Sequence, residues 1–247
     1  MRGKLHCDLR GNIEGIAFDL DGTLYPNYRL NIRLLPFISK ELRLLTAFGE
    51  ARKIIRRRQD EGYLPDGDFY EYQAEITANV LAGKNKADAP PDRAKTEQLK
   101  EKIDRLIYRG WEPLFKKVKL FKHVITTLEG LRKAGYKTAL LSDFPPDTKI
   151  DYLGISSGWD AVLCSEKCSA LKPHPLSFLK LAEALSLPPE KILYVGNSRS
   201  YDVKGAAGAG MKTAWIKNAL FPGGGLKKPK PDFYFYSYRQ LYNFMIN

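Results

Sequence analysis

Short strand-like segments alternate with helical segments through the second half of the chain. Apolar residues at 121–131 and 178–185 recur at the three- and four-residue spacing of one helix face. Strand-like apolar runs lie between and after these stripes, at 137–141, 161–165, 192–195, 212–216 and 233–236. Such alternation over short connections predicts the α/β class, with a mostly parallel sheet covered by helices on both faces.

One more buried strand is predicted before this region, and a helical segment separates the two. The apolar run of that strand spans residues 13–18. A long helix is predicted to begin near residue 32, and two more follow at 68–81 and 93–108. We therefore predict a core and an inserted helical domain, made of residues 1–26 with 119–247 and of residues 27–118, respectively.

The length and the apolar content of the chain fit one sizeable core with such an insertion. The 247 residues are 44% hydrophobic and 28% charged, which is enough apolar material for a packed core. No apolar run approaches the ~20 residues that cross a bilayer, and the first residues lack the apolar stretch of a secretory signal. We expect a cytoplasmic protein without membrane association, and free thiols at Cys7, Cys164 and Cys168.

The net charge of +12 raises the question of an acidic partner. The densest basic cluster comprises Arg52, Lys53 and residues 56–58, within a helical pattern. Aromatic residues are not interleaved with it, as a surface that stacks nucleic-acid bases would require. We therefore interpret the cluster as a solvated helix face. Nucleic-acid binding rests on the net charge alone, whereas a positive field also suits a small phosphorylated metabolite.

Two carboxylates follow the first predicted strand directly. Asp19 and Asp21 stand two residues apart in the run Asp-Leu-Asp-Gly-Thr, and in extended backbone such residues point to the same side. An aspartate can attack phosphorus to form an acyl phosphate, and a second acid can protonate the leaving oxygen and later activate water. Asp19 and Asp21 suit these two tasks, although Asp-Gly is also a common turn that simply ends a strand.

Three more polar clusters each follow a predicted strand. Ser142 ends one strand, and its hydroxyl can donate to a phosphate oxygen. Lys172 follows the next and can offset the negative charge of a phosphate. Asn197 and Asp202 follow a third and offer the hard oxygen atoms that suit Mg²⁺. Because the carboxyl ends of parallel strands meet at one edge of a sheet, we expect all of these side chains to converge with the two aspartates.

These residues and their order resemble the four motifs of the haloacid-dehalogenase-like superfamily. Residues 19–23 match the first motif, DxDGT, while Ser142 and Lys172 match the second and the third. Residues 196–202 match the fourth motif, which usually reads GDxxxxD. The resemblance covers the chain except its central helical segment. It implies a Rossmann-like parallel sheet with an α-helical cap inserted between motifs one and two, where residues 27–118 stand.

The resemblance also implies a role for each residue. Asp19 would be the nucleophile and Asp21 the general acid/base, while Ser142 and Lys172 would bind the phosphoryl group. The ligands of a Mg²⁺ cofactor would be Asp19, the main-chain carbonyl of Asp21, Asn197 and Asp202. The expected function is a Mg²⁺-dependent phosphatase that hydrolyses a small phosphorylated metabolite through an aspartyl-phosphate intermediate.

Two positions distinguish this chain within the superfamily. Asp21 stands where the dehalogenases of the superfamily lack an acid, so we expect phosphoryl transfer and not carbon–halogen cleavage. Asn197 stands where the fourth motif usually has aspartate, and its uncharged amide predicts weaker Mg²⁺ binding. A low-activity regulatory or binding protein stays open for that reason. A phosphomutase stays open because the sequence does not show whether water reaches the intermediate, and the oligomeric state is not decided.

Overall fold

The computed structural model describes residues 10–83, 93–217 and 229–247. Cys7 and residues 84–92 of the predicted insertion lie outside the described residues. Cys164 and Cys168 are free thiols, as predicted, and both are buried. Within the described ranges, no helix combines the length and the apolar character that crossing a membrane requires.

Six parallel strands form one sheet in the described part of the chain. In chain order they are β1 (Gly15–Phe18), β2 (Lys137–Ser142), β3 (Ala161–Cys164), β4 (Ile192–Gly196), β5 (Lys212–Ile216) and β6 (Phe233–Phe235). Their spatial order is β3-β2-β1-β4-β5-β6, so the first strand of the chain lies inside the sheet. This arrangement confirms the predicted parallel α/β sheet, with strand ends within one or two residues of those predicted.

Eight α-helices of four residues or more accompany the sheet within the described residues. They are α1 (Asn27–Asp60), α2 (Phe69–Leu81), α3 (Arg93–Ile103), α4 (Val124–Lys133), α5 (Asp147–Tyr152), α6 (Pro175–Leu185), α7 (Lys204–Gly208) and α8 (Tyr238–Ile246). The predicted helix at 93–108 ends its α-helical part at Ile103 and continues as a π-helical turn, Asp104–Tyr108.

Both faces of the sheet are covered because successive side chains of a strand point to opposite sides. Phe18 of β1 packs in a cluster that includes Leu128 of α4 and Leu241 of α8. Its neighbour Ala17 belongs to a second cluster, which includes Phe178 of α6. Burying each large apolar side chain stabilises the fold by about 1.5–3 kcal/mol, so the two clusters hold β1 rigidly between helices.

The segment between β1 and β2 is helical, as predicted, and packs on the core. Helix α1 spans 34 residues, and its backbone departs from helical angles at Glu41, five residues after Pro36. Apolar residues of α1 and α2 form two clusters, one containing Leu171 of the core and the other packed against Phe144. Both core residues follow strand ends, so the helical segment sits at the carboxyl edge of the sheet. The boundaries of the two domains stay a prediction.

Candidate active site

The strand order creates a crevice where the chain changes direction across the sheet. From β1 the sheet continues through β2 on one side and through β4 on the other, and such switch points are where α/β sheets bind ligands. Asp19 directly follows β1, Ser142 ends β2, and Asn197 directly follows β4. The main-chain N–H of Asp19 donates to the carbonyl of Val195 (2.9 Å), which holds the ends of β1 and β4 together.

Lys172 lies between two of the predicted acidic residues. Its ammonium Nζ lies 2.6 Å from Asp19 Oδ1 and 2.8 Å from Asp202 Oδ1, and all three side chains are buried. It also lies 3.3 Å from the hydroxyl of Tyr194. Burial alone would lower the pKa of Lys172, but the two carboxylates raise it well above its usual value. The lysine therefore stays charged beside Asp19.

The carboxylate of Asp19 is nearly inaccessible to solvent in this arrangement. Its other oxygen, Oδ2, accepts a hydrogen bond from the Thr23 hydroxyl (2.7 Å). Burial raises the pKa of Asp19 to about 7; Lys172 opposes this shift, while Asp202 and Asp21 add to it. A metal cation bound at this carboxylate, in addition to Lys172, would favour the ionised form of Asp19, which is the nucleophilic one.

Asp21 is held by three side chains, two of which the sequence analysis did not assign to the site. Ser142 Oγ donates to Asp21 Oδ2 (3.3 Å), and the Tyr25 hydroxyl donates to Oδ1. Lys149 Nζ lies 3.0 Å from Oδ2 and 3.2 Å from Oδ1. Burial would raise the pKa of Asp21, but Lys149 and then Tyr25 outweigh it and hold that pKa below its usual value.

Lys149 carried no signal that sequence reasoning could have used. It lies on α5, seven residues after Ser142, and a single lysine in a polar helix is ordinarily a surface residue. Only the packing of α5 beside the first motif turns its side chain toward Asp21. The ammonium of Lys149 also lies over two aromatic rings, at nearly equal distances of 5.2 Å from the Phe115 centroid and 5.1 Å from the Phe144 centroid.

Asp202 shapes the loop after β4 as well as holding the lysine. Its Oδ2 accepts hydrogen bonds from the main-chain N–H of Asn197 (3.1 Å) and of Ser198 (2.8 Å). A Cβ on Gly196 would lie 2.3 Å from the Cβ of Asp202, so glycine is needed for this close approach. Because both oxygens of Asp202 are engaged, it is placed to orient its neighbours, and its place among the metal ligands stays a prediction.

The oxygen atoms near Asp21 are of the kind that suits Mg²⁺. The Asn197 side-chain amide lies 3.3 Å from the main-chain carbonyl of Asp21, and the carboxylate of Asp19 belongs to the same crevice. The described residues contain no group of three or more His, Cys, Asp or Glu side chains that could hold a metal ion. A mixed set of one carboxylate, one carbonyl and one amide still fits Mg²⁺, which typically retains several waters.

The interpretation of the basic cluster as a solvated helix face is wrong for two of its members. Arg52 is 5% exposed and forms an ion pair with the fully buried Glu166. Arg56 Nη2 lies 2.7 Å from Asp143 Oδ2, and its Nε donates to the carbonyl of Lys172 (2.8 Å). The acidic partners are 87 and 114 residues away in sequence, so helical periodicity alone could not reveal them.

Of the other three residues of the cluster, Arg58 is half-buried and its Nη1 donates to the Tyr72 hydroxyl (3.2 Å), whereas the remaining two are solvated, as predicted. Lys53 and Arg57 are exposed on α1. Tyr108 and Trp111, which lie in the helical segment, have ring centroids 6.0 Å and 6.5 Å from that of Phe144 in the core. Aromatic packing therefore joins the helical segment to the loop that follows Ser142.

The family model of the haloacid dehalogenase-like hydrolases matches residues 13–210. The chain belongs to this family. Its fold is therefore the Rossmann-like fold that the resemblance implied. Among curated proteins, the phosphoglycolate phosphatase of Salmonella paratyphi A is 27% identical over 242 residues, covering 93% of this chain and 91% of its own length.

Two solved structures share the fold over almost the whole chain. The HAD phosphatase from Thermococcus onnurineus superposes with a TM-score of 0.62 at 24% identity, covering 94% of this chain and 97% of its own. The 2-haloacid dehalogenase from Pseudomonas syringae pv. Tomato DC3000 superposes with a TM-score of 0.62 at 22% identity, covering 94% and 98%. Since a phosphatase and a dehalogenase fit equally well, the reaction must be argued from the site.

Proposed function

We propose that this protein is a Mg²⁺-dependent phosphatase that hydrolyses a small phosphorylated metabolite through an aspartyl-phosphate intermediate. The observation that carries the proposal is the second carboxylate, Asp21, beside Asp19 in one crevice. A phosphoryl transfer needs both a nucleophile and an acid/base group, and Ser142 and Lys172 supply donors for phosphate oxygens there. Carbon–halogen cleavage needs no group to protonate a leaving oxygen.

The first half of the reaction transfers the phosphoryl group to the protein. Asp19 attacks phosphorus, the bond from phosphorus to the ester oxygen breaks, and Asp21 in its protonated form gives its proton to that oxygen. Lys149 and Tyr25 favour the ionised form of Asp21, whereas the negative charge of a bound phosphate favours the protonated form. Substrate binding therefore helps to supply the proton that the leaving group requires.

The second half returns the protein to its starting state. Asp21, now ionised, accepts a proton from water as the water oxygen attacks phosphorus, and the bond between phosphorus and Asp19 breaks. Lys172 offsets the negative charge of the phosphoryl oxygens and of Asp19 throughout. The carboxylate of Asp19, the carbonyl of Asp21 and the amide of Asn197 would hold Mg²⁺, which when bound neutralises phosphate charge.

The substrate class follows from the charge of the site and from the relatives. Lys172 itself and two cations that contact the candidate catalytic residues, Lys149 at Asp21 and Arg56 at the main chain of Lys172, provide positive charge there. The curated relative from Salmonella paratyphi A is named for phosphoglycolate. We therefore infer a small phosphate ester, and phosphoglycolate is the first metabolite to test. The phosphomutase and the low-activity alternatives stay predictions, as does the cytoplasmic location.

Hydrolysis of an aryl phosphate, followed by a metabolite panel, tests the proposal directly. We expect turnover that requires Mg²⁺ and that Asp19→Asn abolishes, because an amide cannot form the acyl phosphate. Asp151→Asn, which changes an exposed aspartate on α5, is the matched control and should retain full turnover. Turnover that survives in Asp19→Asn, or its absence from the wild-type protein at every Mg²⁺ concentration, would contradict the proposal.

A further inference from the structure

Side chains on one face of α1 form hydrogen bonds with the loop that carries Lys172. Arg52, Arg56 and Gln59 are spaced by four and three residues, so their side chains project from the same side of the helix. Each of them bonds to the stretch between Glu166 and Lys172, which connects β3 to α6. Such a loop lacks the ladder of hydrogen bonds that holds a strand in place, so its position depends on other contacts.

Gln59 forms hydrogen bonds with two main-chain groups just before Lys172. Its Nε2 donates to the carbonyl of Ser169 (3.2 Å), and its Oε1 accepts from the N–H of Leu171 (3.2 Å). The side chain of Gln59 is buried, and Leu171 beside it is completely buried. One amide side chain of the inserted segment therefore replaces the backbone partners that these two groups would have in a sheet.

Arg56 and Asp143 satisfy the main chain of Lys172 itself. The carbonyl of Lys172 accepts from Arg56 Nε (2.8 Å), and its N–H donates to Asp143 Oδ1 (3.1 Å). Arg56 Nη2 in turn lies 2.7 Å from Asp143 Oδ2, which closes a ring of three residues. The Arg56 guanidinium also lies over the ring of Tyr201, 4.5 Å from its centroid, beside Asp202. The N–H and the carbonyl of Lys172 are thus both hydrogen-bonded to an ion pair, of which one member, Arg56, belongs to α1.

Arg52 extends the same contact toward the start of the loop. It pairs with Glu166 and lies 3.5 Å from Asp143 Oδ2, while its guanidinium stacks 4.3 Å from the centroid of the Phe144 ring. Glu166 also accepts from the Tyr108 hydroxyl (3.0 Å) of the inserted segment. The loop is therefore held at its beginning by Arg52, and at its end by Gln59 and Arg56.

We propose that Arg52, Arg56 and Gln59 of the inserted helix, together with Asp143, are positioning residues that place Lys172 against Asp19. This inference rests on the role of Lys172 in the proposed phosphatase. The ammonium of Lys172 lies 2.6 Å from Asp19 Oδ1, and a displacement of about 1 Å at a reacting group can slow a reaction about 100-fold. The inserted helix thereby completes the core site through the main chain of the loop that carries Lys172.

Gln59→Met is the sharpest test, because it keeps the length and burial of the side chain and removes both hydrogen bonds. We expect kcat to fall about 10- to 100-fold, and amide hydrogen exchange of Leu171 and Lys172 to accelerate. Arg57→Met, on the exposed side of the same helix, is the matched control and should change neither quantity. Arg56→Lys, which keeps a cation for Asp143, should retain more turnover than Arg56→Met.

A purely structural role would give a different pattern of results. It would lower the melting temperature of Gln59→Met and leave kcat unchanged at temperatures where the variant is folded, which would overturn the inference. Should Gln59→Met fail to fold, Gln59→Asn keeps a neutral amide on a side chain one methylene shorter, which cannot reach Ser169 and Leu171 in the same way. The same kcat and exchange measurements then apply, with a smaller loss of turnover expected.

Binding of inorganic phosphate separates this inference from the proposed function. If the wild-type protein hydrolyses no ester, the phosphatase proposal fails, but calorimetry with inorganic phosphate still reports on the placement of Lys172. We expect Gln59→Met to weaken phosphate affinity about tenfold. A phosphate affinity and an exchange rate equal to those of the wild-type protein would overturn the positioning role, whatever the turnover.

Discussion

Removing Arg52 should destabilise the protein strongly, because it leaves a buried carboxylate without its cation. Arg52→Met takes away the ion pair with Glu166, whose side chain is completely inaccessible to solvent. Glu166 would retain the hydrogen bond from the Tyr108 hydroxyl at 3.0 Å. Breaking a buried pair in this way typically costs about 3–5 kcal/mol of unfolding free energy.

Urea unfolding and thermal melting at pH 7 measure this cost. For a chain of this size each kcal/mol lowers the melting temperature by about 2–4 °C, so the expected fall is about 6–20 °C. Lys53→Met is the matched control, since Lys53 makes an exposed ion pair with Glu50 on the same helix. Exposed pairs are screened by solvent and contribute little to stability, so the control should melt close to the wild-type protein.

Two further results distinguish the unpaired charge from a simple loss of packing. Burial already raises the pKa of Glu166, and Arg52 opposes that shift, so the pKa should rise further in Arg52→Met. A folded-state pKa above the unfolded value favours the folded state at low pH, so the cost should shrink as the pH falls from 7. The double variant with Glu166→Gln should recover at least half of the loss. A cost of less than about 1 kcal/mol at pH 7, or no recovery in the double variant, would refute the reasoning.

Three predictions concern the candidate active site. Asn197→Asp adds a formal charge to the metal ligands and should lower the half-saturating Mg²⁺ concentration about tenfold; an unchanged value would contradict a ligand role. Lys149→Met removes the cation that favours the ionised form of Asp21, which the second half of the reaction requires, and should lower kcat about tenfold, whereas the exposed Lys180→Met should not. Because burial raises the pKa of Asp19 to about 7, activity at limiting Mg²⁺ should fall below that pH. Saturating Mg²⁺ should shift this fall in activity to lower pH. A fall at the same pH in limiting and saturating Mg²⁺ would contradict the role of Asp19 as a metal ligand.

Local sequence signals were sufficient for the sheet and for the residues that follow its strands. Apolar runs of four to six residues with short connections predicted parallel strands, and all six are present in the described residues. A parallel sheet necessarily brings its carboxyl ends to one edge, so convergence of Asp19, Ser142 and Asn197 could be expected without coordinates. The helical segment was also predictable, because its apolar residues recur with helical spacing.

Electrostatic partners were not predictable in the same way. Lys149 and Arg52 each look like ordinary surface residues when only their own helices are considered. Their partners, Asp21 and Glu166, lie 128 and 114 residues away and meet them only after α5 and α1 have packed on the sheet. The sequence thus determined the class of fold and the chemical groups of the site, because those signals are local. Tertiary structure alone decided which charges are buried and paired, and so how the lysine at Asp19 is held, because those contacts join distant parts of the chain.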